Sequence, residues 1–131
     1  MIIDNLLLDT LTEEAMHSPR LRMNRDMRNS PDDSSQRMLN AIEPGTELPV
    51  HRHRNSSESC IILRGEAEEI FYDDNGNITS RIVLRPNSDR TGINIPVGQW
   101  HRLVSLAHGT VIFEAKDGRY EPLSEEDILE L

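Results

Sequence analysis

Two strand-like runs, Ala67 to Tyr72 and Ile78 to Leu84, flank Asp73-Asp74-Asn75-Gly76-Asn77, and no other stretch of the chain limits its fold so tightly. An Asn-Gly pair suits the positive backbone angles of a tight hairpin turn, so the two runs are predicted to pair antiparallel. Later runs share their character. Ile93-Asn94-Ile95, Leu103 to Leu106 and Val111 to Lys116 are short and rich in apolar or β-branched residues, and polar connections or glycine turns separate them. Such spacing predicts a mainly β fold.

Chemistry concentrates in one stretch, Gly45 to Gly65, which reads GTELPVHRHRNSSESCIILRG. His51 and His53 stand one residue apart, and alternate residues of a strand share a face, so both imidazoles are expected to point the same way. A polar loop from Arg54 to Ser57 leads to Glu58, and Ile61-Ile62-Leu63 carries the chain on to Gly65. Farther along, a Pro96-Val97-Gly98 turn delivers His101 at the start of another apolar strand. Three imidazoles and one carboxylate suit a divalent transition metal. Four protein ligands would saturate tetrahedral zinc, whereas octahedral Fe, Mn, Ni or Co would keep positions open for water, substrate or oxygen. An open position serves Lewis-acid chemistry, water activation or dioxygen binding, and this ligand set does not separate the three.

Gly45, His51-x-His53, Glu58 and Gly65 resemble the first cupin motif, and Pro96-x-Gly98-x-x-His101 resembles the second. The resemblance implies an antiparallel β-barrel of jelly-roll type with the metal inside it. Two positions of the second motif depart from the family pattern: Arg90 stands where a glycine would open it, and Ser105 where an asparagine would close it. Neither is a ligand, so the departures bear on pocket shape around Ser105. More narrowly, SPRLRMN at 18–24, QRMLNAIEPGT at 36–46, FYDDNGNI and FEAKDGRYEP are similar to the WbuC family of cupin-fold metalloproteins. That likeness implies an association with O-antigen or other surface-polysaccharide metabolism.

At 131 residues the chain suits one domain, 1–131, with a helix over 1–18 and a barrel core over 36–122. Its 14 Lys and Arg against 23 Asp and Glu give a net charge of −9, which disfavours nucleic acid or an anionic membrane as partner. A small-molecule ligand is the favoured partner, and the cupin resemblance adds a homodimer. No apolar run is long enough to span a bilayer, and the start carries aspartates where a signal peptide has its basic region, so a cytoplasmic location is expected. Cys60 is the single cysteine, which excludes an internal disulfide and agrees with a reducing compartment.

Ile3, Leu7, Leu11 and Ala15 recur at four-residue spacing and predict an amphipathic helix ending near Ser18-Pro19, with His17 at its C-terminal end. Arg20 to Asn24 alternates and predicts a strand; Asn29 to Ser35 is a loop. Gln36 to Ile42 has helical propensity, but its closeness to the His-x-His strand and the cupin resemblance favour a strand. At the other end, Ser124-Glu125-Glu126-Asp127 predicts a short acidic helix with a capping serine.

Alternation also predicts what surrounds the metal. Cys60 and Ile62 share the face of Glu58, and Leu103 and Ser105 share that of His101, while Trp100 points the other way into packing. Arg22, Asn24, Glu114 and Lys116 are polar residues on otherwise apolar strands. Lys116, within the FEAK segment, together with Arg22, Asn24 and Ser105 forms the expected substrate-binding set. His108 falls in a solvated turn. Three functional readings follow: a metal-dependent isomerase, hydrolase or dioxygenase acting on a small polar or saccharide-derived molecule; a noncatalytic binding module; and a structural cupin.

Overall fold

The computed structural model describes residues 1–131. Helix α1 spans Asn5–His17, and the Asp4 side chain caps it by accepting from the Leu7 N–H at 3.0 Å. Leu8, Leu11 and Ala15 form its buried stripe and Leu7 packs beside them, while Ile3 lies ahead of the helix and is exposed. The buried stripe follows i, i+3, i+7 spacing, one face of a helix, and the predicted Ile3 anchor falls outside it.

Ten strands follow: β1 (Arg22–Asp26), β2 (Ser35–Ile42), β3 (Val50–His51), β4 (Glu58–Arg64), β5 (Ala67–Tyr72), β6 (Ile78–Leu84), β7 (Gly92–Ile95), β8 (Trp100–Ser105), β9 (Val111–Asp117) and β10 (Ile128–Leu129). They form two five-stranded sheets, ordered β1-β2-β9-β4-β7 and β10-β3-β8-β5-β6, with every pairing antiparallel. Ile42, Ile62 and Ile112 of the first sheet pack against Ala67, Leu84 and Leu103 of the second, so the sheets face each other as in a jelly roll. On the outer face of the first sheet, Leu39, Ala41 and Val111 receive the stripe of α1.

The β5–β6 hairpin begins and ends where the sequence predicts, and Asp73 closes its turn by accepting from the N–H groups of Asn75 and Asn77 at 2.9 Å. β1 starts two residues later than expected. Its lead-in turns first, with the Leu21 N–H donating to Ser18 O at 3.0 Å and Leu21 itself at φ 57°. The ambiguous segment before the histidines is the strand β2, whose Leu39 and Ala41 face the helix while Asn40 and Ile42 face the other sheet.

The short acidic C-terminal helix is present but ends after a single turn. Glu125–Asp127 makes one 3₁₀ turn, and the Ser124 hydroxyl bonds the Asp127 carboxylate at 3.1 Å instead of capping backbone. Long-range pairing wins over local propensity here: Arg52 N–H donates to Asp127 O at 3.0 Å, and β10 then pairs Ile128 with His51 and Leu129 with Val50.

Candidate metal centre

His51 and His101 are cross-strand partners on β3 and β8, which places their rings on one face with centroids 4.3 Å apart. Strand β3 ends at His51, so the predicted alternation through His53 does not operate as a strand. His53 reaches the same cluster from the following loop, and its carbonyl accepts from Gly98 N–H at 2.9 Å. That bond ties the His-x-His segment to the turn before His101. Gly98 sits at φ +79°, a conformation that glycine adopts without strain. The three rings each offer a nitrogen within 4.8 Å of the others.

Glu58 arrives from the opposite sheet at the start of β4. Its Oε2 lies 3.4 Å from His53 Nε2 and 3.5 Å from His101 Nε2. Two bonds set the tautomers. His51 Nδ1 meets Pro49 O at 3.0 Å and His101 Nδ1 meets Gln99 O at 2.9 Å. A carbonyl can only accept, so each Nδ1 carries the proton and each Nε2 keeps its lone pair. Metal-binding imidazoles are oriented in this way.

The buried polar atoms give a test of fit. His53 Nε2 and Glu58 Oε2 are buried without a hydrogen-bond partner, and both belong to this cluster. Orphaned buried acceptors are costly, and a cation among them would satisfy both at once. The four side chains therefore fit a divalent metal, which would supply Lewis-acid character, and the donor set leaves its identity open.

Electrostatics set the imidazoles apart. Burial and the neighbouring His101 push His51 down to about 4. Burial works against the charged forms of Glu58 and His101. Even so, their mutual approach, with His53 Nε2 also 3.4 Å from Glu58, holds Glu58 well below the usual carboxylate range and His101 above the usual imidazole value.

A cavity of about 340 Å³ opens onto His51 and His53. Arg22, Gln36 and Lys116 line it, and Lys116 lies between Gln36 and Glu58 in the register of the first sheet. Of the expected substrate residues, Arg22 and Lys116 thus line the cavity. Asn24 is exposed on β1, and Ser105 is buried with its hydroxyl donated to Ala107 O at 3.2 Å. Cys60 lies beside Glu58, its thiol donating to Oε1 at 3.5 Å, and burial pushes that thiol well up. Trp100 packs with Ile70 and Tyr72, and its indole N–H reaches Asp74 Oδ1 at 2.9 Å. His108 is largely exposed and pairs with the buried Glu43.

Two interior acids enlarge the picture. Glu114 on β9 neighbours Cys60 and Glu58, and burial pushes it up to about 8. Glu69 was missed by sequence reasoning, although the run Ala-Glu-Glu-Ile-Phe-Tyr must turn one of its two adjacent glutamates inward. It is 1% exposed, its Oε1 has no partner, and burial raises it to about 7.

In the metal-free protein this makes Glu69 a measurable liability. Its folded value exceeds the ordinary 4.5, so the native state holds the proton more tightly than the unfolded chain. The favourable contribution is complete below 4.5 and is lost as pH rises through about 7. By pH 8 the loss amounts to about 3 kcal/mol. Glu69→Gln is expected to stabilise chelator-treated protein at pH 8 by an amount of that order and to change little at pH 4. Urea denaturation at the two pH values measures it; equal slopes against pH in both proteins would contradict the assignment.

The two facing antiparallel sheets are similar to the cupin fold of solved structures. The Schizosaccharomyces pombe Cnp3 cupin domain superposes with a TM-score of 0.59 at 12% identity, over 74% of this chain and 64% of that one. The capsular polysaccharide assembling protein CapF from Staphylococcus aureus gives 0.67 at 20% identity, over 80% of this chain and 30% of CapF. KdgF from Halomonas sp. gives 0.61 at 15%, over 79% and 85%. The chain therefore spans under a third of the length of CapF, and identities this low establish the fold alone. No curated protein matches the sequence. The family model described as a domain of unknown function, DUF6016, matches residues 3–84, and the chain belongs to that family. No helix is long and apolar enough to cross a membrane.

Proposed function

We propose that this chain is a metal-dependent enzyme acting on a small polar, saccharide-derived molecule in surface-polysaccharide metabolism, as its resemblance to WbuC proteins suggests. One observation carries the reading: the pair of orphaned ligand atoms, His53 Nε2 and Glu58 Oε2, belongs to a cluster that a 340 Å³ cavity reaches from solvent. A purely structural metal needs no such access. His51, His53, Glu58 and His101 hold the metal in this proposal. Lys116 and Arg22 face the substrate from the cavity wall, with Asn24 and Ser105 farther from the metal. The solved relative CapF, a capsular polysaccharide assembling protein, has been captured with the inhibitor 3-isopropenyl-tropolone, which is in keeping with a small-molecule partner. A cytoplasmic homodimer completes the proposal, in keeping with the single buried Cys60 and the pairing habit of cupins.

Exchangeable water on the metal tests the proposal. Protein loaded with Mn²⁺ is expected to enhance water proton relaxation, and addition of a true substrate to reduce that enhancement while turnover proceeds. Turnover should disappear in His101→Ala. A metal without exchangeable water would contradict the proposal and make the centre structural.

A further inference from the structure

The four candidate ligands are not held in the same way. His51 and His101 are each fixed at Nδ1 by a backbone carbonyl, and the loop that carries His53 is tied to Gly98. The Glu58 carboxylate has no backbone anchor. It is buried, at 6% exposure, and the hydrogen bond it receives comes from the Cys60 thiol, which donates to Oε1 at 3.5 Å. Lys116, its cross-strand neighbour, acts on its charge without forming an ion pair with it. Glu114, the cross-strand partner of Cys60, brings an oxygen within 4.8 Å of both side chains and shares no hydrogen bond with either.

The two oxygens of Glu58 therefore have different surroundings. Oε2 lies 3.4 Å from His53 Nε2 and 3.5 Å from His101 Nε2, buried and without a hydrogen bond, while Oε1 is turned to the thiol. The arrangement follows from the strand: Glu58 and Cys60 are alternate residues of β4, so both side chains leave the same face. A thiol suits this place. Its S–H is a weak donor, enough to set the direction of a carboxylate while leaving most of the charge on the oxygens. Cys60 is 2% exposed, so the bond is shielded from exchange with solvent.

We infer that Cys60 is a positioning residue for the metal centre: its thiol holds Oε1 of Glu58 so that Oε2 is the oxygen presented among the three imidazoles, and the sulfur itself is not a ligand. Partners that orient a ligating group in this way govern metal affinity without touching the metal. The inference rests on the metal-centre reading and adds to it a residue outside the four ligands.

The chain has one cysteine, so its S–H stretch is a single infrared band, in a region free of other protein absorption. In the full chain, stripped with a chelator and reloaded with Co²⁺, that band is expected to persist, with no thiolate-to-cobalt charge-transfer absorption. Loss of the band, with that absorption in its place, would make Cys60 a ligand and overturn the inference. Competition against a chromophoric chelator then ranks the variants. Cys60→Ala is expected to bind Co²⁺ about tenfold or more weakly than the wild type. Cys60→Ser keeps a donor and is expected to bind more tightly than Cys60→Ala. A merely structural role gives no such order, since serine fills the space little better than alanine and buries a hydroxyl; urea midpoints of the metal-free variants report that role separately. Wild-type affinity in Cys60→Ala, or Cys60→Ser binding no more tightly than Cys60→Ala, would overturn the inference and leave the metal centre standing. A wild type that takes up no Co²⁺ would overturn the metal-centre reading and the inference together.

Discussion

Replacing His101 with alanine is expected to lower metal affinity by more than the roughly 10- to 100-fold that loss of a merely supporting partner costs. His101 is the most buried of the three imidazoles, at 3% exposure, and it links both sheets of the site through His51 across the strand pair and Glu58 across the interior. Competition against a chromophoric chelator measures the loss. The same variant carries a second signature. Burial and then the His101 charge depress His51 to about 4. Without His101, the metal-free protein should titrate His51 at a higher pH, visible in its imidazole NMR shifts. Wild-type affinity in His101→Ala would remove this residue from the ligand set.

Gly65→Ala is expected to be the most damaging of the small substitutions. Gly65 joins β4 to β5 at φ +79°, and an added Cβ would lie 2.6 Å from the Thr110 Cα and 2.3 Å from its Oγ1. Thr110 cannot move aside cheaply. It is 1% exposed, and its hydroxyl bonds Ala107 O at 2.8 Å and takes a bond from the Glu66 N–H at 3.2 Å. The left-handed backbone costs about 1–2 kcal/mol for a residue with a side chain. Overpacking against fixed backbone adds about 1–3 kcal/mol. Gly98→Ala is the control: its φ is also +79°, but nothing lies within 4 Å of the added carbon, so only the backbone cost of about 1–2 kcal/mol applies. Denaturant midpoints for the two variants should differ accordingly. Equal loss in both would contradict the role given to Thr110.

Where side-chain pattern and local turn chemistry act together, the chain could be read directly. The β5–β6 hairpin is the clearest instance, because Asn75-Gly76 and the asparagine and aspartate bonds of its turn are local. The spacing of the histidines also carried through, though by a different route from the one expected. Alternation along a strand predicted His53 on the face of His51, but β3 is two residues long, and a hydrogen bond from Gly98 positions that loop. The C-terminal turn shows the opposite limit. Ser124 to Asp127 has the composition of a helix start, yet Arg52, Arg54 and the free edge of β3 capture it from more than 70 residues away. Nothing local records that partner. Glu69 lay between these cases: its strand was plain, but which of two adjacent glutamates turns inward depends on register with β8.

Interior polarity explains why the site is more than its four candidate ligands. The end of the sandwich occupied by Ile42, Ile62 and Leu103 is apolar, while the end holding Glu58, Cys60, Glu114 and Lys116 is not. One sheet thus supplies a packed core and a polar chamber along the same strands. Side-chain alternation keeps β4 and β9 in the core at one end and beside the histidines at the other.

The most direct test of the account is elemental analysis of the protein purified without an affinity tag or chelator. The account predicts close to one divalent transition metal per chain, lost in His51→Ala and in His101→Ala. A well-folded wild type that holds no metal, even after reconstitution, would contradict it.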